Sequence, residues 1–330
     1  MRAFTIAVLV AGFALFCWLL VQADLAAVAR SMVQLGWLGA LAILVAFAIG
    51  FQADVFSWHL TVPGVALSAL WTLRLWLVNM VGEALNIVAP FGSLGGEPFK
   101  ALLLKRHYDV SYRDGTTSLL LIQTVNSLAQ VPFVVIGVTL MLQREILSPA
   151  LAAVITTACA AVVLFMGFVL IALHARWLSH LPRGLRNLRL GGRLADAVSA
   201  LEAIEEQLAG FVRERPGRFA VAVLFAFANW TSGAVELYLI LHFLGAPLAL
   251  ADCWLIEAMV VLVRSATFFV PGHLGAQDGA ITFFCGLLTG SPQLGLAAAL
   301  IRRARELLWS LLGLAIGGWF SLRERAPAAG

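Results

Sequence analysis

Charged residues are scarce in this sequence. Only 12% of its 330 residues are Asp, Glu, Lys or Arg, whereas 61% are hydrophobic and the mean hydropathy is +0.93. A soluble domain carries about 25% charged and roughly 45–50% apolar residues. Because the apolar residues also form runs long enough to cross a hydrocarbon core, the composition excludes an ordinary soluble domain. It predicts an all-α polytopic membrane protein.

Motifs for metals, disulfides and nucleotides are missing as well. The four cysteines are widely spaced in apolar runs, with no C-x-x-C or His-rich spacing, so neither a disulfide framework nor a metal site is expected. The sequence has no P-loop and no nucleophile-and-base signature. We therefore expect no cofactor and no enzymatic activity. The net charge of +4 is assigned to membrane orientation and anionic lipid headgroups rather than to nucleic acid.

A single integral membrane domain is predicted over 1–330. The N-terminal apolar run of about 18 residues exceeds the roughly 7–15 residues of a signal-peptide core, so it is interpreted as a retained span. About six full spans are predicted, and two interrupted apolar segments, 73–104 and 251–290, complete the membrane part. The predicted full spans are 4–22, 35–56, 116–142, 149–173, 219–243 and 295–320.

Lys and Arg residues are concentrated in a few connections, which predicts the orientation. The polar connection 174–218 carries eight arginines, and the loop at 98–115 adds four basic residues, Lys100 among them. Such residues favour the cytoplasmic side, so both termini are predicted to be cytoplasmic. Segments 73–97 and 251–290 then each enter and leave the membrane by one face. They are predicted to be re-entrant broken-helix hairpins that dip in from opposite sides.

The two breaks resemble each other in sequence. The first reads "APFGSLGGEP" and the second "VPGHLGAQDG". Pro90 precedes Glu97 by seven positions, as Pro271 precedes Asp278, and each break contains a Leu-Gly step. At opposite predicted polarity, this similarity indicates an inverted repeat, and broken helices at corresponding positions of two halves mark the binding site of many transporters.

Half-helices that restart near Glu97 and Asp278 would direct unpaired N–H groups and the positive end of a dipole into a cavity. Such an end suits a phosphate or carboxylate. Both acids are also good first-turn residues. Capping of a half-helix and direct contact with a substrate are therefore alternative roles for each of them.

Charged and polar side chains also lie inside the apolar segments, where each charge costs about 2.5–3.5 kcal/mol on insertion scales. Arg302 and Glu306 share a helix face, with Arg303 pointing elsewhere, and Glu257 is the expected partner of Arg264. An arginine fork would suit a phosphate or carboxylate, and a structural Arg–Glu network is the alternative. The residues of this kind are Glu83, Asn86, Glu236, Glu257, Arg264, His273, Arg302, Arg303, Arg305 and Glu306.

Within the 174–218 connection, apolar residues recur at helical spacing over 194–212 opposite several glutamates. This amphipathic helix is predicted to lie on the inner leaflet or under the bundle, with the arginines on anionic lipid. A partner-binding helix is the alternative.

The segments "GEALNIVAPFGSLGGEPFKALLLKR" and "VRSATFFVPGHLGAQDG" resemble the flippase-like transmembrane domain family of lysylphosphatidylglycerol synthase, and most closely its hopanoid-biosynthesis-associated branch in bacteria. The resemblance extends over about residues 5–320. It implies a multi-pass protein of the bacterial inner membrane, with two re-entrant hairpins, that moves or holds lipids with charged or glycosylated headgroups. The aminoacyl-transferase domain of full-length synthases is absent, so lipid aminoacylation is not expected.

The resemblance also assigns motif residues in three segments. They are Glu83, Asn86, Pro90, Gly95, Gly96 and Glu97 in the first, Arg264, Pro271, Gly272, Gly275 and Asp278 in the second, and Arg302, Arg303 and Glu306 in the last. Two positions depart from the family pattern. His273 stands where glycine is usual, and Asp278 stands where glutamate is usual.

Three functions are compatible with these features. The leading one is a lipid flippase or lipid-handling transporter, linked to hopanoid or modified phospholipid metabolism, with a headgroup path through the two breaks and Arg302. The alternatives are a membrane-embedded enzyme acting on a lipid headgroup and an accessory scaffold for lipid-synthesis enzymes. Membrane lipids are the expected partners. Lipid-synthesis enzymes at the cytoplasmic arm and a second copy of the chain are further candidates.

Overall fold

The computed structural model describes residues 25–88, 95–144, 148–174, 206, 209–266 and 275–323. The first predicted span, 4–22, lies outside these ranges, as does most of the 174–218 connection with its predicted amphipathic helix. Four of the predicted site residues also lie outside them: Pro90, Pro271, Gly272 and His273.

All regular secondary structure in the described part of the chain is helical, which confirms the predicted all-α class. The helices are α1 (Leu25–Thr61), α2 (Ala69–Val88), α3 (Glu97–Tyr108), α4 (Tyr112–Arg144), α5 (Pro149–His174), α6 (Pro216–Phe243), α7 (Leu250–Ala266), α8 (Ala276–Thr289) and α9 (Pro292–Arg323).

Three helical stretches are long and apolar enough to cross a membrane, namely Val33–Thr61, Tyr112–Arg144 and Pro216–Phe243, and Pro149–Leu164 is apolar but shorter. Large apolar side chains cover the outside of the bundle, among them Trp37 at 74% and Leu164 at 72% exposure. Contiguous apolar surface of this kind is unfavourable in water and favourable against lipid. The described helices are therefore those of a membrane protein, as the composition predicts.

The short helix α3 has clear sequence signals at both ends. Glu97 is its first residue and Pro98 its second, where proline is tolerated because the first N–H groups have no partner within the helix. The last turn carries Lys105 and Arg106, which interact favourably with the negative end of the helix dipole. The helix ends at Asp109, which has a left-handed conformation (φ 55°). The segment predicted as a loop at 98–115 is thus mostly helical.

Helices α1 and α6 pack against each other in antiparallel orientation. Gly50 lies against Ser232, and the Ser57 hydroxyl donates a 2.8 Å hydrogen bond to the carbonyl oxygen of Ala222. A Cβ at position 50 would overlap the Ser232 side chain. Glycine is therefore needed at this crossing so that the two backbones can approach closely.

Helix contacts repeat between two halves of the chain, α1–α4 and α6–α9. In the first half, α2 packs on α3 and on α9, and α3 packs on α4. In the second half, α7 correspondingly packs on α8 and on α4, and α8 packs on α9. Corresponding residues of the two halves are separated by nearly the same number of positions. Asp278 lies 181 residues after Glu97, and Ser232 lies 182 residues after Gly50. The described helices of the two halves therefore make corresponding contacts.

The described helices form two apolar cores, and each of them contains residues of both halves. One core is centred on Phe133, Leu237 and Leu255, and the other on Trp58 and Leu75. Phe227 and Trp230 of α6 pack against both cores. The polar site described below lies beside this junction.

Replacing Gly50 by alanine is expected to lower the free energy of unfolding by about 1–3 kcal/mol, because the added methyl group would separate α1 from α6. The measurement is the Tm of the purified protein in detergent. Gly167→Ala in α5 is the matched control, since no atom lies within 4 Å of the added Cβ. The control should keep or raise the Tm, because alanine is the better helix former. An unchanged Tm for Gly50→Ala would contradict the close crossing.

Candidate functional site

A cavity of about 400 Å³ lies between the two halves and is lined by side chains of α1–α4 and α6–α9. Eleven charged residues line it: Asp54, Glu83, Glu97, Lys100, Glu236, Glu257, Arg264, Arg302, Arg303, Arg305 and Glu306. Two other grooves are larger, about 600 and 820 Å³, but their linings are mostly apolar. The charges of the described helices thus converge on the smaller cavity, which makes it the candidate site.

Lys100 connects the two helices of the first predicted hairpin. Its Nζ lies 2.9 Å from Glu83 Oε1 on α2 and 2.8 Å from Glu97 Oε1 on α3, and its side chain is only 6% exposed. The aliphatic part of the side chain lies against Gly82, where a Cβ would leave it no room. The prediction that Lys100 is a cytoplasmic loop charge is therefore wrong, since two carboxylates hold it inside the bundle.

Asn86 closes the same hairpin through a backbone contact. Its Oδ1 accepts a 2.6 Å hydrogen bond from the Gly96 N–H, directly before α3 begins. A Cβ at Gly96 would collide with the backbone of Gly82, so α2 and α3 meet there without a side chain between them. Glu97 makes no capping bond to Gly96 and instead pairs with Lys100. Gly95 lies beside this contact at the start of the described segment.

Arg302 is the most buried cation of the cavity, with 3% of its surface exposed. Its Nη1 lies 2.7 Å from Glu257 Oε2 on α7, and its Nη2 donates a 3.1 Å hydrogen bond to the Gly233 carbonyl on α6. The lack of a side chain at Gly233 lets the Glu257 carboxylate approach α6. The expected Glu257–Arg264 pair is therefore wrong, because a long-range contact with α9 places Arg302 closer to this carboxylate.

Arg305 lies one turn further along α9 and faces α6 and α1. Its Nε lies 2.7 Å from Glu236 Oε1, and its guanidinium carbon lies 3.7 Å from the centre of the Phe47 ring. Arg302 Nε lies 3.9 Å from the second oxygen of Glu236. One carboxylate on α6 thus holds two arginines of α9, and the cation–π contact adds α1 to the same cluster.

Arg303 faces α8. Its Nη2 lies 2.8 Å and 3.0 Å from the two oxygens of Asp278, and its Nη1 lies 2.9 Å from Glu306 Oε2. The expectation that Arg303 points away from Glu306 is wrong, because residues three apart on a helix are neighbours as well as residues four apart. Asp278 Oδ2 also accepts the Gly275 N–H at 3.3 Å. Asp278 therefore both caps α8 and forms an ion pair.

Arg264 and Asp54 differ from the other charged residues of the cavity. Within the described ranges, no carboxylate lies within 4.0 Å of the Arg264 guanidinium, and no basic group lies within 4.0 Å of the Asp54 carboxylate. Asp54 instead accepts hydrogen bonds from the side-chain amides of Asn79 and Asn126, at 3.1 and 3.3 Å. In the described part of the chain, neither of these two side chains takes part in an ion pair.

Some polar residues of the cavity are not among the site residues predicted from the sequence, among them Asp54, Asn79, Lys100 and Asn126. Asp54 had a usable signal, because it is a lone acid within the predicted span 35–56. No group of three or more His, Cys, Asp or Glu residues in the described ranges is arranged to hold a metal. The chemistry that these side chains offer is the binding of ions and hydrogen-bonding groups.

The apolar helices and the charged cavity together define a membrane protein with a polar site inside a helical bundle. The family model for the transmembrane region of lysylphosphatidylglycerol synthase matches residues 4–313, and the chain belongs to this family. This match confirms the family resemblance of the sequence and links the protein to lipid handling. No curated protein and no solved structure matches the chain.

Replacing Lys100 by methionine should lower the free energy of unfolding by about 2 kcal/mol. Removing one partner of a buried ion pair costs roughly 3–5 kcal/mol, and the 45% exposure of the Glu83 side chain reduces this effect. The Tm in detergent is the measurement, and exposed Lys105→Met is the control. Adding Glu97→Gln to Lys100→Met should restore part of the loss. If Lys100→Met melts like the control, Lys100 does not hold the hairpin together.

Proposed function

We propose that this protein is a lipid flippase or lipid-handling transporter of the bacterial inner membrane. It binds the charged or glycosylated headgroup of a lipid in the charged cavity and lets it pass between leaflets. The observation that supports this function best is the combination of an apolar outer surface with eleven charged residues around one open volume. A structural ion-pair network alone requires neither the open volume nor the unpaired Arg264.

The proposal includes six full spans and two oppositely oriented re-entrant hairpins. A hydrocarbon core is about 30 Å thick, and a helix rises about 1.5 Å per residue. With 12 and 14 residues, α3 and α8 reach only about 18 and 21 Å, so neither spans the core. The repeated contacts of the two halves and the antiparallel α1–α6 pair support an inverted repeat. We propose that 1–330 is one integral domain with both termini in the cytoplasm.

The cavity is proposed to bind rather than to transform its lipid. Every carboxylate that lines it is engaged by a base or an amide: Lys100 holds Glu83 and Glu97, the α9 arginines hold Glu236, Glu257 and Glu306, and two asparagines hold Asp54. Such acids are poorly placed for proton transfer. Because the sequence has no P-loop, movement would be downhill or driven by a gradient. The resemblance favours lipids of hopanoid or modified phospholipid metabolism, with biosynthetic enzymes or a second copy of the chain as further partners.

The topology can be checked with reporters fused after residue 330 and inserted at the 245–249 turn. A C-terminal fluorescent protein should be bright and a C-terminal alkaline phosphatase inactive, because the first folds in the cytoplasm and the second needs the periplasm. The reverse pattern is expected at the 245–249 turn. An active phosphatase at the C-terminus would contradict the proposed orientation.

Lipid movement can be measured with purified protein in liposomes that contain labelled phospholipids in one leaflet. Arg264→Gln should slow headgroup movement at least about tenfold, because it removes a cavity guanidinium that has no ion-pair partner within the described residues and can bind an anionic group. Arg113→Gln, an exposed residue outside the cavity, is the matched control. If Arg264→Gln and wild type move the lipid at equal rates and have equal Tm values, the proposed passage of the headgroup through the cavity is contradicted. Movement of no lipid by the wild type would contradict the function.

A further inference from the structure

The charges of the cavity are distributed unevenly between its two sides. On the side formed by α1–α3, three acids, Asp54, Glu83 and Glu97, face one base, Lys100. On the side formed by α6–α9, three acids, Glu236, Glu257 and Glu306, line the cavity with four arginines. The described site therefore carries more acids than bases. A purely anionic ligand would add to this excess, whereas a group that carries one positive and one negative charge would leave it unchanged.

Asp54 is the acid that lacks a basic partner. Its two hydrogen-bond donors, Asn79 and Asn126, are neutral amides, which favour the ionised carboxylate without cancelling its charge. Beside it, Asn126 Oδ1 is buried and has no hydrogen-bond partner. A buried acceptor without a donor costs about 1–3 kcal/mol. The Asp54 carboxylate and the unpartnered Asn126 Oδ1 thus place acceptor oxygens together with no basic group of the described residues beside them.

The rings around Asp54 suit the same kind of group. Phe51 and Trp58 lie three and four residues from Asp54 on α1, on the same side of the helix, and both line the cavity. Aromatic faces attract ammonium groups. Lys100 Nζ already lies 5.9 Å from the centre of the Trp58 ring. The environment of Asp54 is therefore one that stabilises a cation.

Arg264 offers a binding group for the negatively charged part of a ligand. Its guanidinium lines the cavity and has no carboxylate within 4.0 Å in the described ranges. A guanidinium binds a phosphate through two parallel hydrogen bonds. One unpaired base and one unpaired acid in a single cavity call for a ligand that carries both charges.

We propose that the cavity takes a zwitterionic headgroup, whose phosphate binds Arg264 and whose ammonium binds Asp54 and Asn126. This inference rests on the proposed function and names the class of headgroup for that site. It assigns Asp54 a role in recognising the substrate, in addition to the arginines.

The test uses the purified full-length protein and two lipids with the same phosphate and acyl chains, phosphatidylethanolamine and its N-acetylated derivative, in which a neutral amide replaces the ammonium. The first readout is binding in detergent, and the second is movement in liposomes. Wild type should bind phosphatidylethanolamine at least about tenfold more tightly than the N-acetylated lipid, because a charge-assisted hydrogen bond is lost in the derivative. Free phosphoethanolamine should compete if the headgroup alone is recognised, and fail if the acyl chains are needed.

Two variants test which residue binds the ammonium and which binds the phosphate of the headgroup. Asp54→Asn should abolish the preference while leaving the binding of the N-acetylated lipid unchanged, and Arg264→Gln should weaken the binding of both lipids. Asp109→Asn is the control, because it makes the same chemical change at an exposed position outside the cavity. It should keep the preference.

The outcomes separate the inference from the function on which it rests. Equal binding of the two lipids by wild type, or a preference that survives Asp54→Asn, overturns the zwitterion proposal even if lipids move. A preference that depends on Asp54, without movement of any lipid, supports the headgroup assignment and contradicts transport alone. The comparison of the two lipids on wild type decides the matter even if Asp54→Asn does not fold.

Discussion

The ion pairs between α9 and three other helices are the constraint on which the arrangement of this bundle depends. Arginines 302, 303 and 305 reach acids on α7, α8 and α6, respectively, at 2.7–2.8 Å. Removing one partner from a buried pair leaves an uncompensated charge and costs several kcal/mol. These helices are therefore held in one relative position, and the open cavity persists beside them because its walls are charged.

The two halves of the chain resemble each other in packing but differ in charge. Glu83 lies 14 residues before Glu97, and Arg264 lies 14 residues before Asp278, so equivalent positions carry opposite charges. In the first half a lysine within the hairpin joins its two helices, whereas in the second half the partners come from α9. As a result, acids outnumber bases on the α1–α3 side of the cavity, whereas arginines outnumber acids on the α6–α9 side.

Composition and hydropathy were enough to predict the all-α membrane class. The acids and arginines inside apolar segments could also be identified from the sequence, because a charge in such a segment is energetically costly and therefore rare. Composition and hydropathy could not predict which charges pair. Glu257 and Arg302 are 45 residues apart, and their contact depends on how α7 meets α9. Lys100 was misassigned because it lies among basic residues of the kind that mark cytoplasmic loops, and only the fold shows two carboxylates around it.

The central claim is that a lipid headgroup enters the charged cavity between the two halves. The most direct measurement is an electron cryo-microscopy reconstruction of the protein in nanodiscs of bacterial phospholipids. We expect headgroup density inside the cavity, with a phosphate within hydrogen-bond distance of Arg264 and acyl chains leaving between helices toward the bilayer. Lipid density confined to the outer surface, with the Arg264 guanidinium paired to a carboxylate of the protein, would contradict the claim.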